Sequence, residues 1–115
     1  MNAQEFAERW IALWNSHNLD DILSHYTEDI EITTPMIKMA AGIDSGTLRG
    51  KEAVAAYWEK ALQRIPNLHF TLLDVTESVD SLALYYVSVM NKKAIEVMFL
   101  NENGKVYKMI AHYTP

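Results

Sequence analysis

There is no cysteine in this chain, which excludes a disulfide framework, a thiolate metal site and a cysteine nucleophile. Glycine is scarce, and Gly42, Gly46 and Gly50 form neither a G-x-G-x-x-G fingerprint nor a phosphate loop with its lysine and serine. No serine sits in a G-x-S-x-G elbow, so nucleophilic catalysis is disfavoured. Basic charge is short as well. Ten Lys and Arg stand against fifteen Asp and Glu, a formal net charge of -5, and Lys92-Lys93 is the one adjacent basic pair. No nucleic-acid partner is expected. Long apolar runs are missing, so no membrane span is expected. The start, MNAQEFAERW, is acidic where a signal peptide has a basic flank and an apolar stretch. A cytoplasmic location is the default expectation. His17, His25, His69 and His112 show no i, i+4 or H-x-H spacing, so neither a metal nor another cofactor is expected.

What is present is a large apolar fraction, 50% of 115 residues, ample for a packed core and sized for one domain over 1–115. Phe6, Trp10, Leu13 and Trp14 repeat at helical spacing, and Asn2 with Glu5 reads as a cap and its capping-box partner. Ser16-His17-Asn18 breaks that helix. Asn18 then caps a short second one, with Leu19, Ile22, Leu23 and Tyr26 on its buried side. Thr27-Glu28-Asp29 reads as a polar turn, and Ile30–Thr33 as a strand ended by Pro35. Residues 36–49 show no clean period and are expected to be a long irregular loop, of the kind that binds or covers a site. Gly50 opens a third helix whose inner side holds Val54, Tyr57, Trp58, Ala61 and Leu62, stopped by Pro66. Strands are expected over 68–76, 82–90, 93–101 and 105–113, the last two joined by Asn103-Gly104, a strong hairpin signal. Helices first and successive hairpins after them make an α+β fold.

The hairpin register predicts which side chains share a face. With Asn103-Gly104 as a two-residue loop, Leu100 pairs with Tyr107, Met98 with Met109, Glu96 with Ala111 and Ala94 with Tyr113. A tight turn at Asn91-Lys92 adds Val87 beside Glu96 and Tyr85 beside Met98. The other face holds Ile95, Val97, Phe99, Ile110 and His112. Both faces are largely apolar, while helices can cover only one, which predicts a homodimer through the outer face. On the face of Met98, Leu100 and Met109, Glu96 is the one carboxylate near the middle of an apolar pattern. Desolvation there raises a carboxyl pKa towards neutrality, where it can give or take a proton. The alternative is structural: Glu96 partly exposed, or satisfied by a tyrosine such as Tyr113. Trp10, Trp14, Tyr57 and Trp58 recur at helical spacing, as core or as the wall of a pocket.

Three segments, ERWIALWNSHNLDDILSHYTEDIEITTP, GKEAVAAYWEKAL and EVMFLNENGKVYKMIAHY, resemble those of the nuclear-transport-factor-2-like superfamily, in its SnoaL-like polyketide-cyclase and ketosteroid-isomerase-like branch. The resemblance implies a cone-shaped, cystatin-like fold, with three N-terminal helices packed on a curled antiparallel sheet that encloses a pocket. It places Glu96 on the pocket side. Pocket walls are then expected from Trp10, Trp58, Tyr85, Val87, Met98, Met109, Ala111 and Tyr113, and the implied partner is a small hydrophobic molecule. Carried over position by position, the isomerase's oxyanion-hole tyrosine falls on Trp10, its general base on Thr34 and its protonated aspartic acid on Glu96. The base is thus absent and one acid survives. The arginine-aspartate pairs of epoxide-hydrolase relatives find no match on Leu82–Met90. Three functions stay open: a cofactor-free enzyme acting on a hydrophobic carbonyl or enol with Glu96 as acid/base and Trp10, Tyr85 or Tyr113 orienting it, a non-catalytic binder of small apolar ligands, and a dimeric interaction scaffold.

Overall fold

The computed structural model describes residues 2–115. Its order is α1 (Ala3–Ser16), α2 (Leu19–Leu23), β1 (Tyr26–Thr33), α3 (Pro35–Ala41), β2 (Thr47–Arg49), α4 (Lys51–Arg64), then β3 (Thr71–Glu77), β4 (Ser81–Val87), β5 (Lys93–Leu100) and β6 (Val106–Tyr113). The α+β expectation is met, with a curled, unclosed six-stranded sheet in the order β2-β1-β6-β5-β4-β3. All neighbours run antiparallel except β1 and β6, which are parallel.

Local chemistry explains the helix ends. The Asn2 side chain accepts the Glu5 N–H at 2.8 Å, and the Asn18 side chain accepts that of Asp21 at 3.2 Å. His17 takes a left-handed conformation (φ 61°) at the end of α1, so the chain turns sharply into α2. Phe6, Ala7, Trp10, Ile11 and Trp14 form the buried face of α1.

The expected strand at 68–76 begins later, at Thr71. The two sides of Asn15's amide bond the backbone of Phe70, at 2.7 and 3.0 Å, and the His17 ring meets the Leu68 carbonyl at 2.7 Å. The side chains of Asn15 in α1 and of His17 at its C-cap thus stand in for a neighbouring strand over residues 68–70.

Two further expectations are corrected. Thr27-Glu28-Asp29 is no turn but lies within β1, where the register with β6 shifts between Tyr26 and Glu31. A bulge absorbs these polar residues without ending the strand. Residues 36–49 are not irregular throughout. Pro35 starts α3 rather than merely ending a strand, because proline is preorganised for the first helical position, and the Thr34 hydroxyl accepts the Met36 N–H at 3.1 Å. Gly42 (φ 69°) closes α3. Gly46 then returns to Thr34, whose N–H it accepts at 2.9 Å.

The hairpins settle which face each residue occupies. The β5–β6 loop has three residues, Glu102 to Gly104, since the Asn101 N–H donates to Lys105 O at 2.8 Å. Leu100 therefore pairs with Val106, not Tyr107, and Tyr107 is the extra residue of a bulge. That bulge cancels the extra loop residue, so Met98 still faces Met109, Glu96 faces Ala111 and Ala94 faces Tyr113.

No such cancellation occurs between β4 and β5. Their connection is a 3-10 turn, Val89–Asn91, closed by Ser88 N–H to Lys92 O, with Met90 and Asn91 both at positive φ. Glu96 consequently faces Leu84, and Met98 faces Leu82. The pairing differs from the expected one by an odd number of residues, which exchanges the two faces of β4.

Candidate functional site

Inside the curl lies a cavity of about 630 Å³, within the usual range for small-molecule sites. Its floor is aromatic. Trp10 stacks on Phe70 with ring centroids 5.8 Å apart, Trp14 meets Trp58 edge-on at 5.1 Å, and Tyr86 lies 4.9 Å from Phe70. These rings are buried, and their edge-to-face and stacked contacts leave a stiff, smooth wall. The exposed lining residues come from α3 and α4 and form the mouth: Met39, Ala40 and Ala41 on the first, Ala53, Ala56, Lys60 and Arg64 on the second. Met39 is 79% exposed. The segment expected as a binding loop does reach the cavity, as a short helix.

Glu96 lies in the wall of this cavity and is 4% exposed. Tyr86 Oη donates to its Oε1 at 2.7 Å, while its Oε2 is buried without a hydrogen-bond partner. Loss of water raises the carboxyl to about 7, against a smaller lowering by the Tyr86 hydroxyl. Both protonation states are then populated at neutral pH. The surrounding phenols stay protonated: burial, then the nearby Glu96 charge, push Tyr86, Tyr113 and Tyr57 above their ordinary value. One carboxyl of adjustable protonation thus sits among phenols that act as neutral donors. That arrangement can move a proton at a ligand atom while holding a neighbouring oxygen.

Of the residues anticipated here, Trp10, Trp58, Glu96, Met109, Ala111 and Tyr113 line the cavity. Tyr85 and Val87 do not. The exchanged faces of β4 pair Tyr85 with Ile95 and Val87 with Lys93, on the outer side. Met98 is on the inner side but wholly buried, 0% exposed, and takes no part in the wall.

The residue missed is Tyr86, the actual partner of Glu96. A signal was present, since Leu82, Leu84 and Tyr86 alternate with the smaller Ser81 and Ala83, and the bulkier set belongs inside. Trp10 cannot serve as a free donor to a ligand, because its Nε1–H is given to Tyr26 Oη at 2.8 Å. The Thr34 hydroxyl lines the cavity but caps α3. Among the described residues there is no cluster of three or more potential metal-ligating side chains, and no helix is long and apolar enough to cross a membrane.

Residues 7–114 match the SnoaL-like domain family. The chain belongs to that family. A SnoaL-like protein of unknown function from Burkholderia thailandensis E264 is 46% identical over 97% of this chain and 93% of its own, with a TM-score of 0.95. A putative isomerase of the SnoaL-like family from Agrobacterium tumefaciens C58 is 16% identical, covering 98% and 97% of the two chains at a TM-score of 0.73. The epoxide hydrolase/cyclase-like enzyme SalBIII, of pyran-ring formation in the polyether salinomycin, is 17% identical over 96% and 89% at 0.74. These last two share the fold alone. No curated protein matches. The SnoaL-like, nuclear-transport-factor-2-like fold expected from the sequence is thereby established, and no specific activity comes with it.

Proposed function

We propose that residues 1–115 act as one domain that binds a small, largely apolar carbonyl or enol compound and moves a proton on it with Glu96. The observation that carries this reading is the buried Glu96 carboxyl, one oxygen held by Tyr86 and the other unpaired, in the wall of an aromatic cavity. In its ionised form Glu96 takes a proton from the carbon next to the carbonyl; the electron pair of that C–H bond forms the carbon–carbon double bond of an enolate as the carbonyl π pair moves to the oxygen. The hydroxyl of Tyr113, which also lines the cavity, donates to that oxygen in this reading. The protonated Glu96 then returns the proton, to the same carbon or to the far end of a conjugated enol. No outside oxidant or reductant is needed. Isomerisation and cyclisation are the reaction classes of this kind, and the names of two structural relatives, a putative isomerase and a cyclase-like enzyme, lend support.

A non-catalytic reading has its own observation. The Trp10 N–H is given to Tyr26, and Thr34, whose hydroxyl caps α3, stands where the isomerase has its base, so no second carboxylate accompanies Glu96 in the wall among the described residues. Deuterium exchange of the α-protons of 2-tetralone in heavy water, followed by proton NMR, separates the readings. Exchange above buffer that is lost in Glu96→Gln, with tetralone binding retained, supports catalysis. Binding without exchange leaves the binder.

A homodimer belongs to the same proposal. The sheet face opposite the helices carries Ala83, Tyr85, Ile95, Val97, Phe99 and Ile110, with Ile95 40% exposed. An apolar antiparallel face of this extent is the kind that a second copy covers.

A further inference from the structure

Apart from Glu96, the charged residues of the cavity wall are both cations, Lys60 and Arg64. They stand i, i+4 on α4, so their side chains are neighbours on one helix face. Among the described residues neither forms an ion pair, whereas Arg49 and Lys51 are matched with Glu31 and Glu28. The acids of α4 do not relieve them: Glu52 and Glu59 lie off this wall, and Glu59 faces a separate shallow groove with His17. Two like charges one turn apart repel slightly, an arrangement that an anion between them reverses. The preference of a helix C-terminus for cations accounts for one basic residue in the last turn. It does not account for a second cation directed at an apolar cavity in a chain of net charge -5.

We propose that Lys60 and Arg64 form an anion subsite at the cavity mouth, so that the ligand is an amphiphile with an apolar body inside and a carboxylate at the entrance. The inference rests on the small-molecule reading above and narrows its substrate class. Orientation follows from charge. A ligand carboxylate is repelled by Glu96 at the buried wall and attracted by the exposed pair at the rim, which sets the apolar, carbonyl-bearing end against Glu96. Both cations are exposed, so the attraction is screened by salt.

The test uses two probes of one shape, 2-naphthylacetate and its neutral analogue 2-naphthylacetamide, titrated by calorimetry in slightly acidic, low-salt buffer. The carboxylate is expected to bind roughly fivefold to tenfold tighter than the amide, in keeping with two solvent-exposed charge contacts. In the double variant Lys60→Gln, Arg64→Gln that preference is expected to vanish, with amide affinity altered less than about twofold. High salt should erase it in the parent as well. Equal binding of the two probes by the parent, or a preference that survives in the double variant, overturns the anion subsite and leaves the apolar pocket standing. Failure of both probes to bind overturns the pocket reading and the subsite together.

Discussion

Replacing Glu96 by Gln should make the protein more stable in alkaline solution, although it takes the carboxyl from the centre of the site. Burial lifts the Glu96 carboxyl from an ordinary 4.5 to about 7. Between those values the folded chain holds a proton that the unfolded chain has released, so stability falls as pH rises through this window. Below it both states are protonated and the group contributes nothing. Above it the folded state carries a buried charge, at a cost of about 3 kcal/mol given ~1.4 kcal/mol per pKa unit. Glutamine has the same shape and no charge, and its amide can still accept from Tyr86 Oη. The variant should therefore match the parent within about 1 kcal/mol in acid, since a neutral hydrogen bond replaces a neutral one. In alkali it should exceed the parent by about 2–3 kcal/mol, with a melting temperature on the order of 10 °C higher. Urea unfolding of both proteins across the pH range measures the difference directly. Two parallel curves, with a gap that does not change with pH, would refute the claim that Glu96 is desolvated.

Tyr86→Phe removes the donor at 2.7 Å from Oε1 and should raise the Glu96 pKa by a further unit or so, since a hydrogen bond to a carboxylate contributes about 1.5–3 kcal/mol; the carboxyl NMR shift against pH reads it. Gly46→Ala should destabilise by about 2 kcal/mol in urea unfolding, because φ is +66° and the new Cβ would lie 2.9 Å from Thr34 O. Val97→Lys on the outer face should turn a dimer into a monomer by light scattering while leaving the fold unchanged by circular dichroism. A monomeric parent would remove the proposed dimer.

Much of the fold was legible because local rules and the hydrophobic pattern agreed. Asn2, Asn18 and the periodic aromatics of α1 predict their helices with no tertiary information. The site was legible in part. Glu96 stood out as a carboxylate in an apolar strand, and the β5–β6 pairing held because the Tyr107 bulge offset the three-residue loop. The β4 wall was marked only by the size alternation of Leu82, Leu84 and Tyr86 with Ser81 and Ala83, while the turn that fixes it was hidden, since Val89–Asn91 places Met90 at positive φ, a conformation methionine rarely adopts. That turn stands in place of the two-residue one expected at Asn91-Lys92. One odd shift then put Tyr86 at Glu96 and sent Tyr85 outward. The helix α3 was hidden for another reason: at seven residues it is too short to show periodicity, and only Thr34-Pro35 marks its start.

The proposed function stands on Glu96 as a buried acid facing a cavity, able to move a proton near neutral pH. Carbon-13 NMR of selectively labelled glutamate, with Glu96→Gln to assign the resonance, follows that one carboxyl through a pH titration. A midpoint near 7 is expected, and it should move when a carbonyl ligand occupies the cavity. A midpoint at the ordinary 4.5, unmoved by any such ligand, would contradict it.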